Sequence, residues 1–320
     1  MPKQTAPTEG NESKTAIFAA IFGNLAIAVT KFIASALTGS SAMLSEGIHS
    51  VVDTGNGLLM LYGIHKSAKP PDEDHPFGHG REIYFWSLIV AVSIFAVGGG
   101  VSVYEGISHL QQPVEISNPV WNYAVLGFSV VFEGISWFYG WKAFSKTRNG
   151  ESILKAIHVS KDPTSFTVLL EDSTALLGLI IAFLGVFFGH YFNFPFFDGI
   201  ASILIGLLLC FVALFLGYES KGLLIGEAVD KPTLHGIRRI AEAEPKVEKA
   251  LKILTIYFGA KEVLLTLELQ FARDISATDL RIAIRRIERD VKKKYPEITR
   301  VYYEAESLTE RELETETIDP

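Results

Sequence analysis

The chain has 320 residues, 48% hydrophobic and 20% charged, a mixture unusual for a wholly soluble protein. A formal net charge of −7 speaks against a nucleic-acid-binding chain. The single cysteine, Cys210, excludes an intrachain disulfide or a cysteine metal cluster. Residues 1–13, MPKQTAPTEGNES, are polar and carry Glu9 and Glu12, which fits neither a secretory signal nor an Arg-rich transit peptide, and they read as a disordered tail. Residues 14–222 hold six hydrophobic segments, at about 16–37, 41–64, 83–105, 119–142, 164–190 and 196–218, each long enough to cross a bilayer with some tilt. The loops after the first, third and fifth contain no Lys or Arg. The even loops contain Lys66, Lys69 and Arg81, then Lys142, Lys146, Arg148, Lys155 and Lys161, so both termini are expected in the cytoplasm.

The second segment contains SEGIHSVVDTGNG. At about 100° per residue, Glu46, His49, Asp53 and Asn56 fall within about 80° of arc and share one stripe. Charged groups inside a membrane segment are costly and face a partner or a water-filled path. His49 and Asp53, one turn apart, can reach one ion together, and Zn²⁺ accepts imidazole nitrogen and carboxylate oxygen at about 2.0 to 2.2 Å. Segment five adds Glu171 and Asp172, which need a cation or protons as much. A hydrogen-bonded polar network that locks the helices is the competing account. Against it, Lys31 in segment one can offset one carboxylate but not four. Between segments two and three, PPDEDHPFGHGRE places Asp72, His75 and His79 at spacings that suit a second ion at the cytoplasmic entrance, or else histidines capping helices on a wet loop. His65, His109, His158 and His190 lie at segment ends, where interfacial anchoring accounts for them.

Beyond residue 222 no apolar run is long enough to cross a membrane, and residues 223–307 read as a small soluble domain. VLLTLELQF, 263–271, alternates as a half-buried strand and pairs with ALKILTIYFG. Ser276 and Asp279 open a helix whose stripe is Leu280, Ile284, Ile287 and Val291, ending before Pro296. With the helix through TLHGIRRIAEAE and a last strand RVYYEA, the order is αββαβ, a sheet covered by helices on one face. Arg285, Arg286, Arg289 and Lys292 to Lys294 are interleaved with Glu288 and Asp290 and form a solvated face near an anionic membrane rather than a nucleic-acid surface. Residues 308–320 read as an acidic disordered tail. Eight scattered histidines are too few for a membrane metal oxidase, and no HExxH occurs, so an enzyme is not expected.

Asn24 and Lys31, the run TGSSAMLSEGIHSVVD, HPFGHGRE, YEGISHL and FFDGIASILIGLLL together resemble the cation diffusion facilitator family of divalent-metal/proton antiporters. The resemblance implies a six-helix membrane bundle followed by a ferredoxin-like cytoplasmic dimerisation domain. It implies a homodimer in a lipid bilayer, with a plasma membrane, the bacterial inner membrane, as the expected location. Metal would leave the cytoplasm in exchange for protons, with no cofactor beyond the transported ion: Zn²⁺ first, then Mn²⁺, Fe²⁺ or Co²⁺. It assigns His49, Asp53 and Asp172 to the transport site and Asp72, His75 and His79 to the loop site. Zinc-transporting members place a His four residues before the segment-five Asp, where this chain has Val168. That position is expected to face His49 and Asp53, with Glu171 about 100° away as an imperfect substitute. The Glu-Asp pair without the His resembles a divergent branch that includes mitochondrial-type zinc transporters. A transport-inactive scaffold or partner subunit is the alternative, encouraged by Val168 and by a soluble domain whose one histidine is His235.

Overall fold

The computed structural model describes residues 9–113, 120–147, 157, 161–272 and 274–306. Six long helices occupy the six apolar segments: α1 (Glu9–Thr38), α2 (Ser41–Ser67), α3 (Glu82–Gln111), α4 (Val120–Thr147), α5 (Pro163–Phe192) and α6 (Phe196–Ile225). Helix α1 begins at Glu9, inside the stretch read as a tail. The acidic C-terminal tail and Lys155, Arg148 and His158 lie outside the described residues. Among the described residues, α3, α5, α6 and Val120–Lys142 of α4 are long and apolar enough to cross a membrane. Helix α1 contributes a shorter apolar stretch, Asn24–Thr38. Helix α2 spans 27 residues, but the polar stripe lowers its hydropathy below that of a lipid-bathed helix.

Close helix packing explains the glycines of FAVGGGVSV. A seven-residue π-helical stretch, Ile94–Gly100, interrupts α3 and brings Gly99 against α6. A Cβ on Gly206 would lie 2.8 Å from Gly99 O, and one on Gly106 2.7 Å from Gly199 O, so α3 and α6 meet backbone to backbone. Helix α4 packs along α5 and α1, and Trp137 Nε1 donates to Ser173 Oγ across the first of these seams at 2.9 Å.

The chain divides into two compact units. His65 and Lys221 close the first, and the second joins Lys66–Glu82 to the chain from Gly222 onward. In the second unit, α7 (Lys231–Glu242), β1 (Val247–Gly259), β2 (Glu262–Phe271), α8 (Ala277–Lys294) and β3 (Ile298–Glu306) follow the αββαβ order read from the sequence. The sheet order is β1-β2-β3, antiparallel across the first pair and parallel across the second, for which α8 is the crossover. Asp230 caps α7 through Thr233 N, and Ser276 caps α8 through Asp279 N, both at 3.1 Å. Val263, Leu265, Leu267 and Leu269 point from β2 into a core closed by Ile237 and Ala241 of α7 and Ala283, Ile287 and Val291 of α8. The opposite face carries the row Leu254, Thr266 and Tyr302, in which Leu254 and Tyr302 are each 51% exposed.

Candidate metal centre

Helix α2 holds its polar stripe inward, as its periodicity requires: Glu46, His49 and Asn56 are buried and the Asp53 side chain is 10% exposed. The members of the stripe have different fates. Glu46 Oε2 pairs with Lys31 Nζ of α1 at 3.0 Å, both side chains fully buried, and Lys31 also donates to Ser50 Oγ at 2.9 Å. Lys31 thus spends its charge on Glu46. One turn further, His49 Nδ1 lies 3.3 Å from Asp53 Oδ1, too poorly aligned to bond. Among the described residues, neither His49 ring nitrogen nor Asp53 Oδ1, all buried, has a hydrogen-bond partner. Unsatisfied groups of this kind cost about 1–3 kcal/mol each, which marks a place where a ligand belongs.

Helix α5 supplies two carboxylates that look in different directions. Glu171 Oε1 accepts from Asn56 Nδ2 at 2.8 Å and so meets the α2 stripe, whereas Asp172 Oδ2 accepts from Ser136 Oγ of α4 at 2.9 Å. This bears on the residue one turn earlier. Val168 is 46% exposed, so the expectation that it faces His49 and Asp53 is not met. Thr167, one turn before Glu171, is instead 1% exposed with a buried, unpartnered Oγ1. The physical reason is the helix rotation: a turn is set by which of two adjacent carboxylates meets α2, and here that is Glu171.

One acid escaped the sequence reading. Glu133 of α4 is 4% exposed. Its signal was an ionisable residue inside the apolar run VVFEGISWF, the same cue that picked out α2. His109 was also misread. It is 8% exposed rather than anchored at an interface, and its Nε2 lies 3.8 Å from Asp198 Oδ2. His65, His190 and His235 are exposed.

The loop residues form a separate cluster in the second unit. Asp72 Oδ2 lies 2.9 Å from His79 Nε2, and Asp72 Oδ1 lies 3.1 Å from His75 Nδ1. One ligand atom from each of the three lies within 4.8 Å of the others. The His79 hydrogen bond, joined by the His75 backbone amide at 2.6 Å, holds the Asp72 carboxyl down at about 2, so it stays ionised through any physiological pH. Phe77 stacks on Phe258 near the end of β1 at 4.9 Å, and Arg81 sits 4.5 Å above the same ring. Gly80 meets the Phe258 carbonyl so closely that no Cβ fits. The cluster is therefore built on the second unit by aromatic and backbone contacts. Histidines capping helices do not describe it: His75 and His79 point at a shared carboxylate.

A family model described as the cation efflux transmembrane domain matches residues 17–225. The chain belongs to the cation efflux family. It is 32% identical over 243 residues to the mitochondrial proton-coupled zinc antiporter SLC30A9 of Mus musculus, an alignment covering 75% of this chain and 43% of the mouse protein. The chain thus spans less than half the length of that relative. It is 24% identical over 291 residues to the manganese efflux system protein MneP of Bacillus subtilis, covering 90% of this chain and 94% of the other. Among solved structures, the nickel form of a MamM CTD variant shares 15% identity with a TM-score of 0.23, covering 24% of this chain and 98% of that one.

Proposed function

We propose that this chain exports a divalent transition-metal cation from the cytoplasm in exchange for protons, as a homodimer with six crossings and both termini inside. The observation that carries the reading is the pair His49 and Asp53, buried in a membrane helix with their ligand atoms unpartnered and Glu171 alongside on α5. The loop charge asymmetry supports the topology. The apolar row Leu254 and Tyr302 on the open sheet face supports pairing with a second copy.

Exchange follows from ligand chemistry. His49 holds metal only when neutral, and Asp53 and Glu171 only when ionised, so protons and metal compete for the same atoms. A proton-rich outer face then favours release, and alternating access exposes the ion to each side in turn. One imidazole among several carboxylates is a harder set than a two-nitrogen site, and it separates Zn²⁺ from Mn²⁺, Fe²⁺ or Co²⁺ less sharply. Zn²⁺ is the first candidate cargo. Mn²⁺ is the second, in keeping with the two relatives' names.

Selectivity offers a test of the site. Thr167→His is expected to add a nitrogen ligand and raise the Zn²⁺ to Mn²⁺ flux ratio by about tenfold or more. Val168→His, on the exposed side, is expected to leave the ratio unchanged. Flux of both ions into dye-loaded liposomes at one pH measures this. A shift in the Val168 variant alone would place the ion on the other face of α5. At the loop, His75→Ala combined with His79→Ala is expected to lower flux only in part, since a cluster on the soluble unit gathers or senses metal without lying on the obligatory path. Flux abolished as fully as by loss of Asp53 would reverse that ranking.

A further inference from the structure

Three motifs that the transport chemistry does not use converge on one point. Ser40 and Ser41 open α2, His109 lies in the last turn of α3, and Asp198 lies in the first turn of α6. An α-helix begins with amides that have no partner within the helix. Ser40 takes the usual capping role, its Oγ accepting from Met43 N at 3.2 Å. The two amides before that are satisfied by another helix: Asp198 Oδ2 accepts from Ser41 N at 2.5 Å and Ala42 N at 3.3 Å, and from Ser41 Oγ at 2.9 Å, while Oδ1 accepts from Ser40 Oγ at 2.5 Å. Asp198 is fully buried and thereby pins the end of the helix that carries His49 and Asp53.

Beside this carboxylate, His109 Nε2 is buried, has no hydrogen-bond partner among the described residues and lies 3.8 Å from Oδ2. From α6 the ionisable group facing His109 is Asp198; α2 presents the hydroxyls of Ser40 and Ser41, and α1 ends nearby at Thr38, whose Oγ1 lies 2.8 Å from Asn122 Oδ1 of α4. On α3 itself, Glu105 sits one turn earlier and is partly exposed.

We propose that His109 and Asp198 form a proton-operated latch that positions α2, and with it the metal ligands. Oδ2 already takes three donors, so a fourth must displace one of them. An imidazolium brings a full positive charge to the carboxylate, where the Ser41 and Ala42 amides bring only dipoles, so protonated His109 draws Oδ2 from those amides and frees the end of α2. The proton adds at the imidazole ring and no covalent bond changes. His109 lies where SHLQQPVEISNP, a loop without Lys or Arg, begins. By the orientation in the transport reading, on which this step rests, that is the proton-rich face, so acidity outside loosens the helix at the stage when metal must leave. Both residues are positioning residues and touch no ion.

Hydrogen exchange on the full-length protein tests the latch without relying on transport. Peptides covering residues 40–46 are followed at about pH 5.5 and about pH 7.5 and corrected for intrinsic chemistry. Wild type is expected to lose protection roughly tenfold at the acid pH. His109→Gln and, independently, Asp198→Asn are expected to show the same protection at both, with peptides from the middle of α6 reporting that each variant is folded. A wild type without the difference, or a difference that persists in either variant, overturns the latch. Metal flux measured in parallel keeps the two readings apart. An inert wild type with His109-dependent exchange would sink transport alone; active flux with His109-independent exchange would sink the latch alone.

Discussion

Asp53→Ala is expected to bring metal flux down to that of empty liposomes while leaving a folded protein. The loss follows because Asp53 is one of two ligands that α2 presents together, and no neighbouring turn offers a replacement: Glu46 is committed to Lys31, and Asn56 to Glu171. The fold is expected to survive because Asp53 Oδ1 has no hydrogen-bond partner, so truncation removes a buried acceptor that was not satisfied. Removing an acceptor that no donor uses strands no buried partner, unlike breaking a buried ion pair, which costs about 3–5 kcal/mol. Thermal unfolding in detergent, beside flux, separates the two. Retained flux in a folded Asp53→Ala protein would remove this residue from the site.

Glu171→Gln is expected to reduce flux at least about tenfold more than Asp172→Asn, the margin that one charged ligand contributes to affinity. Both replacements keep the shape and the hydrogen bond of the original. Gln can still accept from Asn56, and Asn can still accept from Ser136, so neither leaves a buried donor unsatisfied. What changes is charge alone, and the two charges point at different helices. Glu171 meets α2, where His49 and Asp53 lie, and Asp172 meets α4. Full activity in Glu171→Gln with a dead Asp172→Asn would restore the assignment that family resemblance makes and would require α5 to turn by about 100° in the metal-bound state.

The stripe on α2 was legible because a helix of known pitch and a lipid surrounding leave few places for four polar residues to point. The C-terminal half was legible for the same kind of reason: Val263 to Phe271 alternate without a break, and Ser276 with Asp279 forms the cap found in the structure. Rotation of α5 was not legible. Glu171 and Asp172 are equally polar neighbours, and the choice between them is made by packing against α4 through Trp137 and Ser173, contacts between residues far apart in sequence. His109 was misread because position at a segment end says nothing of what folds over it; Asp198 arrives from a helix much later in the chain, beside Ser41. The docking of Phe77 onto Phe258 was hidden for the same reason, since neither aromatic has a local pattern that names its partner.

Metal and proton movement measured together in one preparation test the central claim most directly. Purified protein is placed in liposomes carrying a metal-sensitive dye and a pH-sensitive dye, with Zn²⁺ outside and an acid interior. Zn²⁺ entering through the protein is predicted to raise the interior pH in step, to slow when the interior is made neutral beforehand, and to vanish in Asp53→Ala. Zn²⁺ entry that leaves the interior pH unmoved, at the same rate with and without the proton gradient, would contradict exchange through a shared set of ligands.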